Sequence, residues 1–236
     1  MRVTNSMMVR NVLQNLQSNM GDLNNLNEQL SSGKLFQMPS DAPIKVSDSL
    51  NYKSMLNRNR QYQRNLGQAE DWLNSTESAL KSATGIIQRV RDLTIYASSD
   101  TMTGEDREKV AAEMKELRDE LVSITETKNG DDYIFSGQKI SDKPFDITGS
   151  VENDDYTVDY KGDNRAITRQ FNDGVEMKIN LSGGDAFKTH IENLNNIYKE
   201  LKDGNSGEDI GKYISDMDNS IDNFIKLRSQ VGAKLN

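Results

Sequence analysis

The sequence predicts a mainly α-helical protein with an inserted β unit, an α+β arrangement in which long helices form an elongated antiparallel rod. Apolar residues recur at alternating steps of three and four over most of the chain, as on a helix face that repeats every seven residues. Between residues 131 and 184 the period changes to two, as in strands. We therefore predict three domains. They are residues 1–40 (a coiled-coil-forming helix and a connector), residues 41–130 with 185–236 (a discontinuous helical rod), and residues 131–184 (an inserted antiparallel β domain).

Composition excludes several classes of function. The net charge of −8 argues against nucleic-acid binding, because phosphate contacts need clustered positive charge. Cysteine is absent, so the chain has no disulfide, no thiolate metal site and no cysteine nucleophile. Residues 1–6 lack a basic region followed by an apolar core, and no run of about 18 apolar residues occurs. We therefore expect neither a cleaved signal peptide nor a membrane span.

The first predicted helix has one apolar stripe opposite a face of asparagine and glutamine. The stripe alternates by four and three residues: Val9, Leu13, Leu16, Met20, Leu23, Asn27 and Leu30. Two interpretations remain open. The helix is either buried against its own domain, or it stays loose in the monomer and packs only when chains assemble. Gly33 is expected to end it in the left-handed conformation.

The longest predicted helix follows an extended connector, with Ser40 or Asp41 as its cap and Pro43 in its first turn. Its apolar stripe extends from Tyr52 to Ala97, and no proline interrupts it. At about 1.5 Å per residue the helix would be about 80 Å long. A second apolar track lies one residue before alternate members of the first, and this width requires at least two packing neighbours. The second track is Trp72, Ala79, Ile86 and Leu93.

The third helix is predicted to start at a capping box, Thr103 to Asp106, and to end at Lys128-Asn129-Gly130. A short connection precedes it, so we expect it to fold back antiparallel on the long helix. Strands are predicted at residues 133–135, 144–147, 156–160, 166–171 and 175–181. Tight turns are predicted at Gly162-Asp163 and Asp173-Gly174.

Two more helices are predicted near the end of the chain. A stripe from Phe187 to Leu201 is stopped at Asp203-Gly204, and Ser206 to Asp209 then caps the last helix. The last seam still continues at Asn236 without a cap, a glycine stop or a proline, which indicates a truncated chain. That seam is Ile210, Ile214, Met217, Ile221, Phe224, Arg228, Val231 and Leu235.

Motifs for chemistry are weak. His190 is the only histidine and cannot complete a zinc site without cysteines, so a packed or surface role is favoured. The Ser182–Asp185 segment could cradle an anion at a helix start, but a strand-to-helix turn is favoured. The carboxylates in residues 153–163 do not fit a calcium loop and are interpreted as a solvated acidic edge. A basic patch is interpreted as a solvated helix face. It consists of Lys53, Arg58, Arg60 and Arg64. We predict no enzyme activity, no cofactor and no metal site.

Two stretches carry a resemblance to a known family. Leu30-Ser31-Ser32-Gly33-Lys34, followed by Pro39-Ser40-Asp41-Ala42-Pro43, resembles the connector of the flagellin superfamily of bacterial flagellar axial proteins. The family usually has a second aspartate where this chain has Ala42. Three further stretches favour the hook–filament junction branch over the flagellins. They are Tyr133-Ile134-Phe135-Ser136-Gly137 with Pro144-Phe145 after it, Tyr160-Lys161-Gly162-Asp163, and Val231-Gly232-Ala233-Lys234-Leu235-Asn236.

The resemblance implies a structural protein of the flagellum, outside the cell, exported unfolded by the flagellar type III route without a cleaved signal. It implies that the terminal helices pair as a coiled coil and that the β unit projects outward. The implied partners are other copies in a ring, the neighbouring hook-associated protein and flagellin. An export chaperone would hold a C-terminal helix that is missing here. No nucleic-acid or membrane partner is expected.

From the stripes we predict the residues of an assembly interface: Val9, Leu13, Leu16, Met20, Leu23, Leu30, Ile221, Phe224, Val231 and Leu235. Two alternatives remain. One is a flagellin filament subunit, which would form long filaments alone. The other is a ligand-binding or hydrolytic β module on a helical stalk, which a ligand or metal titration of residues 131–184 would detect.

Overall fold

The computed structural model describes residues 5–36, 43–99, 102–148 and 157–235. The predicted fold class is confirmed, because the chain is mainly helical with small antiparallel sheets. The helices are α1 (Asn5–Ser32), α2 (Pro43–Ala97), α3 (Gly104–Thr125), α4 (Gly183–Lys202), α5 (Gly207–Gly211) and α6 (Ile214–Leu235). The strands are β1 (Lys128–Asn129), β2 (Asp132–Tyr133), β3 (Phe145–Thr148), β4 (Thr157–Tyr160), β5 (Thr168–Asn172) and β6 (Val175–Lys178). Internal contacts divide the chain into two compact units, Met1–Arg60 and Gln61–Asn236.

The Met1–Arg60 unit contains α1 and the beginning of α2. Gly33, with φ of 63°, follows the end of α1 in the predicted left-handed conformation. The Ser32 hydroxyl donates to the Glu28 carbonyl (2.7 Å), and the Gln29 amide donates to the Leu35 carbonyl (3.2 Å). The second of these bonds connects the last turn of α1 to Leu35, which lies beyond the end of the helix. The predicted caps Ser40 and Asp41, and the rest of that connector motif, lie outside the described residues.

In the Gln61–Asn236 unit, α3 packs antiparallel on α2, as predicted. The Arg89 guanidinium of α2 contacts the Glu113 carboxylate at 2.6 Å. Earlier in α2, Ser78 lines a shared surface groove with Ile124, near the end of α3. Later residues of α2 therefore lie beside earlier residues of α3, which defines opposite directions.

Three further contacts complete an antiparallel four-helix bundle of α2, α3, α4 and α6. They are Arg118 Nη1 to Asn195 Oδ1 (3.0 Å, α3 to α4), His190 Nδ1 to Ser220 Oγ (2.8 Å, α4 to α6) and Arg228 Nη2 to Glu77 Oε1 (2.7 Å, α6 to α2). Arg91, later in α2, pairs with Asp218, earlier in α6, so these two helices also have opposite directions. Each bundle helix thus has two neighbours.

The second predicted track of α2, and the first track from Ala69 onward, are buried within this bundle. Leu80 and Ile87 of the first track are fully buried, and Trp72 of the second track is 8% exposed. The prediction of two packing neighbours is confirmed, because α2 contacts both α3 and α6. Three buried threonines of α2 donate their hydroxyls to carbonyls four residues earlier, which satisfies their polar groups in the core. These are Thr76, Thr84 and Thr94.

Burial of the α2 stripe begins at Ala69, which is later than the sequence pattern indicates. The earlier stripe residues Tyr52, Met55 and Leu66 are exposed by 70%, 56% and 57%. A continuous apolar pattern therefore crosses from an exposed part of the helix into a buried one.

In its described residues, the β unit consists of three separate antiparallel strand pairs, β1–β2, β3–β4 and β5–β6. The predicted end of α3 is wrong, because α3 ends at Thr125 and Lys128-Asn129 form the first strand of a hairpin whose turn has Gly130 at φ of 65°. The predicted strand at residues 133–135 is also wrong beyond Tyr133. Ile134 and Phe135 lie in turns, fully buried, so their apolar side chains contribute to the core rather than to a ladder.

The two predicted tight turns have different outcomes. The turn at Asp173-Gly174 is confirmed: it joins β5 to β6, with Gly174 at φ of 74°. The turn at Gly162-Asp163 is wrong, because β4 pairs with β3 and residues 161–167 connect the hairpins without a tight turn.

Side-chain caps mark the starts of two helices, α3 and α5. The Asp106 N–H donates to the Thr103 hydroxyl at 3.3 Å, which confirms the cap of α3. The Asp209 N–H donates to the Ser206 hydroxyl at 3.3 Å. That cap belongs to the short α5, and two turn residues separate α5 from α6, so the prediction of one continuous last helix is wrong there.

The β unit is fastened to the start of α4 around Tyr160; we call Phe135, Gly137, Tyr160, Asp163 and Gly183 the Tyr160 junction. The Tyr160 hydroxyl lies within hydrogen-bonding distance of two carbonyl oxygens, those of Phe135 (3.1 Å) and Asp163 (2.9 Å). The Gly183 N–H also donates to the Phe135 carbonyl (2.8 Å). A Cβ at Gly137 would overlap the Asp163 carbonyl oxygen, and one at Gly183 would lie 2.8 Å from that of Phe135. Two of the motifs that carry the family resemblance therefore meet at this point.

Candidate assembly surface

The predicted interface residues of α1 are all exposed. We call Val9, Leu13, Leu16, Met20, Leu23 and Leu30 the α1 seam. Their exposed fractions extend from 51% at Leu16 to 81% at Leu30. Since the seven-residue spacing places them on one side of the helix, they form a continuous apolar strip. Of the two interpretations left open by the sequence, burial of this strip in a core is not what the structure shows.

A second apolar track accompanies the α1 seam. Val12 lies one residue before Leu13, and Leu26 lies one residue before the stripe position Asn27, with exposed fractions of 61% and 53%. Sequence reasoning missed these residues, although the same offset identifies Trp72 in α2. In α2, which contacts both α3 and α6, the corresponding second track is buried. By the same geometry, α1 can accept more than one helix.

Charge is sparse on α1. Only Arg10, Asp22 and Glu28 are ionisable between residues 5 and 32. Among the described residues, none of these three forms an ion pair within the chain. Recognition through α1 therefore depends on apolar area and on its uncharged polar face.

The four predicted interface residues of α6 have a different environment. Phe224 is fully buried and Val231 is 5% exposed. The Phe224 ring packs against Phe187 of α4, with centroids 5.5 Å apart. Ile221 and Leu235 are half-buried against the same core. The structure thus brings these four residues together inside the bundle, with only the edges of Ile221 and Leu235 accessible to a partner.

His190 is packed between α4 and α6, the role favoured from the sequence. Asn223 donates to its Nε2 at 3.0 Å, so Nδ1 carries the proton and donates to Ser220 Oγ at 2.8 Å. Ser220 in turn donates to the Asp216 carbonyl at 2.7 Å. Burial lowers the pKa of His190 to about 4, which keeps the ring neutral at neutral pH. The imidazole is a structural hydrogen-bonding group.

Among the described residues, Arg118 is the largest fully buried side chain, and it connects α3 to α4. Its Nη1 donates to Asn195 Oδ1 at 3.0 Å, and its Nη2 contacts Asp119 Oδ1 at 3.0 Å. The guanidinium also lies 5.2 Å from the Tyr198 ring centroid. These contacts compensate the charge, as a buried guanidinium requires.

The anion cradle considered at Ser182-Gly183 is occupied by the protein itself. The Gly183 N–H donates to Phe135, and the Ser182 hydroxyl donates to Asn164 Oδ1 at 2.6 Å. The segment is a strand-to-helix connection, as favoured. In the acidic stretch, the Gln138 N–H donates to Asp163 Oδ1 at 2.7 Å and lowers the pKa of that carboxyl. The stretch Asn153 to Asp155 lies outside the described residues.

Neither a metal centre nor a membrane-spanning helix is found in the described ranges. They contain no group of three or more His, Cys, Asp or Glu side chains placed to hold a metal ion. Within the same ranges, no helix has the length and apolarity needed to cross a bilayer.

Comparison with known proteins relates this fold to flagellar proteins. Flagellar hook-associated protein 3 of Salmonella typhimurium is 26% identical over 262 aligned residues, which cover 100% of this chain and 80% of the relative. A putative flagellar hook-associated protein from Vibrio parahaemolyticus has the same fold, with a TM-score of 0.72, 19% identity, and coverage of 84% of this chain and 90% of that one. The structure of Bacillus cereus FlgL gives a TM-score of 0.66 at 21% identity, covering 81% and 91%.

The predicted resemblance to flagellar axial proteins is thus confirmed over the helices and the insert. The family described as the bacterial flagellin N-terminal helical region matches residues 3–140, which include α1, α2, α3 and the first hairpin. With that match over more than half of its length, the chain belongs to the bacterial flagellin family.

Proposed function

We propose that this chain is a structural component of the bacterial flagellum that joins the hook-associated proteins to the flagellin filament by helix packing between subunits. The exposed α1 seam carries the proposal. It is an apolar strip with the sequence pattern of a buried helix face. A strip of this kind on a long helix supports a role in assembly rather than in catalysis.

The size of the apolar surface fits assembly. Ten large apolar side chains of α1 are at least half exposed. Covering the exposed part of each contributes roughly 1 kcal/mol, or roughly 10 kcal/mol in total, at about 25 cal/mol per Å². Association costs about 4–15 kcal/mol in lost freedom. One side of α1 packed against a single helix would barely offset that cost, so the two tracks support a site between at least two neighbouring helices.

The partners that we propose are other copies of this chain in a ring, the adjoining hook-associated protein and flagellin. The proposed contact residues are the α1 seam and the exposed edges of Ile221 and Leu235. Phe224 and Val231 are left out because they are buried within the bundle. Export by the flagellar type III route, and capture by an export chaperone, belong to the same proposal. We also propose that the chain has three domains: residues 1–40, residues 41–130 with 185–236, and residues 131–184.

A flagellin filament subunit is the second candidate. Flagellin A of Vibrio anguillarum is 30% identical over 130 residues, but these cover only 53% of this chain and 32% of that protein. The hook-associated relatives in Salmonella typhimurium and Escherichia coli align with the whole chain, including the β hairpins and α6. That full-length alignment favours the junction role.

Electron microscopy of the chain mixed with hook, hook-associated and flagellin proteins tests both candidates. A junction protein should be required between hook and filament and should not extend into long filaments alone. A double variant, Leu16→Ser with Leu23→Ser, should abolish the joining. A matched control replaces Ile95 and Ile225, which are exposed by 42% and 50% on the bundle, with serine. Equal loss in both variants would contradict a specific role for α1.

A further inference from the structure

Charge is distributed unequally between the two units. Residues 1–60 contain seven Lys and Arg against four Asp and Glu, a net +3. The other 22 basic and 33 acidic residues give residues 61–236 a net −11. A chain with one basic and one acidic unit can attract a second copy of itself in a head-to-tail arrangement.

A groove in the Met1–Arg60 unit combines apolar and cationic groups. It has a volume of about 440 Å³ and is lined by Phe36, Tyr52 and Leu56 together with Lys45 and Lys53. Asp48 and Ser49 complete the lining. Tyr52 is 70% exposed and Leu56 is 50% exposed, so the apolar lining is open to a partner.

Cations extend this groove along α2. Lys45, Lys53 and Arg60 are spaced by eight and seven residues, which keeps them within about 80° of one another around the helix. They span about 22 Å along its axis. All three are exposed, and none forms an ion pair with another described residue.

A complementary stripe lies on α3. Glu108, Ala112, Glu116 and Glu120 follow one another at steps of four residues, are exposed, and span about 18 Å. In the part of the chain that the structure describes, none of the three glutamates is in an ion pair. Like charges four residues apart destabilise a helix slightly, so Glu116 and Glu120 favour a cationic neighbour.

We propose that the groove of one copy receives the α3 stripe of a second copy, with Lys45, Lys53 and Arg60 beside Glu108, Glu116 and Glu120. This rests on the proposed function, in which copies of the chain contact one another. Because the two surfaces differ, the contact is heterologous, the kind that closes into a ring or continues as a helix. Its strength should fall with salt, since the charges are exposed.

Two charge-reversed variants of the full chain test the contact. The groove variant is Lys45→Glu, Lys53→Glu and Arg60→Glu; the stripe variant is Glu108→Lys, Glu116→Lys and Glu120→Lys. In each variant alone, like charges face one another, so self-association measured by sedimentation in about 50 mM salt should weaken about tenfold. In an equimolar mixture, every groove can meet a stripe of opposite charge, and association should return to the wild-type value.

Recovery on mixing cannot come from misfolded variants, which separates a lost contact from a lost fold. The contact is overturned if either variant alone associates like wild type, if the mixture stays as weak as its components, or if the wild-type chain remains monomeric in low salt. The double serine variant of α1 separates this outcome from the proposed function. If the double serine variant abolishes joining of hook and filament but neither charge-reversed variant changes it, the junction role is supported and only the charged contact is ruled out.

Discussion

Helix α1 and the second half of α2 have the same pattern and opposite environments. Each has a seam that repeats every seven residues and a second track one residue ahead of it. In α2, which contacts both α3 and α6, Leu80 and Trp72 represent these tracks and are buried. In α1, Leu16 and Val12 represent them and are more than half exposed. The pattern therefore indicates that a face must be covered, and by roughly how many helices, but not whether the covering helices belong to the same chain.

Polar residues distinguish the two regions as well. Helices of the bundle are joined by ion pairs such as Arg89 with Glu113 and Arg228 with Glu77, which define which residues lie opposite each other. Within the described residues, α1 has no such pair. Because its polar face is uncharged, the register of α1 against a neighbouring helix must be determined by the partner.

The largest effect that we expect is a difference between matched leucine truncations. Leu80→Ala should lower the free energy of unfolding by about 2–5 kcal/mol, because it removes a fully buried side chain and leaves a cavity. Leu16→Ala should change it by less than about 0.5 kcal/mol, as at an exposed site. Urea unfolding followed by the fluorescence of Trp72, the only tryptophan and a buried one, measures both.

The same pair should reverse its order in assembly. Leu16→Ala should weaken joining to the hook-associated and filament proteins, whereas Leu80→Ala should not do so at temperatures where the bundle stays folded. A loss of stability in Leu16→Ala as large as that in Leu80→Ala would show that α1 is covered within the monomer, and the comparison would fail.

A second prediction concerns the Tyr160 junction, where substitutions should change the stability of the bundle and should not affect α1. Gly137→Ala should destabilise the Gln61–Asn236 unit by about 2–3 kcal/mol, because alanine is strained at φ of 70° and its Cβ would meet the Asp163 backbone. Gly130→Ala is the control. Its φ is 65° but the space around it is open, so its cost should be about 1–2 kcal/mol.

Both glycine variants can be measured by the same unfolding assay. Equal costs for the two would mean that the close approach of Asp163 to Gly137 contributes nothing. A change in the joining activity at unchanged bundle stability would instead connect the insert to assembly.

A third prediction uses acid as the perturbation. The pKa of His190 is about 4 in the folded chain and near 6.5 when unfolded, so the unfolded chain binds more protons between these values. Stability from this group is complete above pH 6.5 and is lost as the pH falls toward 4. About 2 kcal/mol should be lost between about pH 7.5 and 5, before most carboxylates titrate.

His190 is the only histidine, so the assignment can be checked by one variant. In His190→Gln the unfolding free energy should be nearly flat over about pH 7.5–5, although its value at the upper end will be lower because the hydrogen bonds to Ser220 and Asn223 are disturbed. An unchanged slope in that variant would remove the histidine as the cause. Since α1 has no histidine, its contacts should not follow the same curve.

Local signals predicted local structure well in this chain. The caps at Thr103 and Ser206 and the left-handed Gly33 lie where the sequence indicates, because each depends on neighbours within a few residues. The prediction at Lys128-Asn129-Gly130 was wrong, since a turn signal after an apolar helix serves equally as a helix stop and as a hairpin turn. The prediction at Gly162 was wrong because this glycine leaves space for the Tyr160 ring, which a Cβ there would approach to 2.5 Å, rather than forming a tight turn.

The α1 surface could be predicted only in part, because only part of the evidence for it is local in the sequence. Periodicity identifies the seam from Val9 to Leu30 without any tertiary contact. Whether the seam is covered depends on which helices return to it, and that is not a local property. The buried state of Phe224 on α6 illustrates this: its stripe looks like that of α1, yet Phe187 and His190 fill the space beside it.

The smallest effect that we expect comes from paired glycine substitutions in the two helices. Gly85 in α2 and Gly21 in α1 are exposed helical glycines with open space where a Cβ would lie. Alanine at such a position favours the helix by about 0.5–1 kcal/mol, because glycine loses more backbone freedom on folding. Gly85→Ala should raise the unfolding free energy reported by Trp72 by that amount. Gly21→Ala should leave it unchanged while raising the helical circular dichroism signal of the free chain, since α1 receives no support from a packed neighbour there. If Gly21→Ala stabilised the Trp72-reported transition as much as Gly85→Ala, α1 and the bundle would unfold as one unit, and the identical patterns of the two helices would have to reflect burial in the same chain.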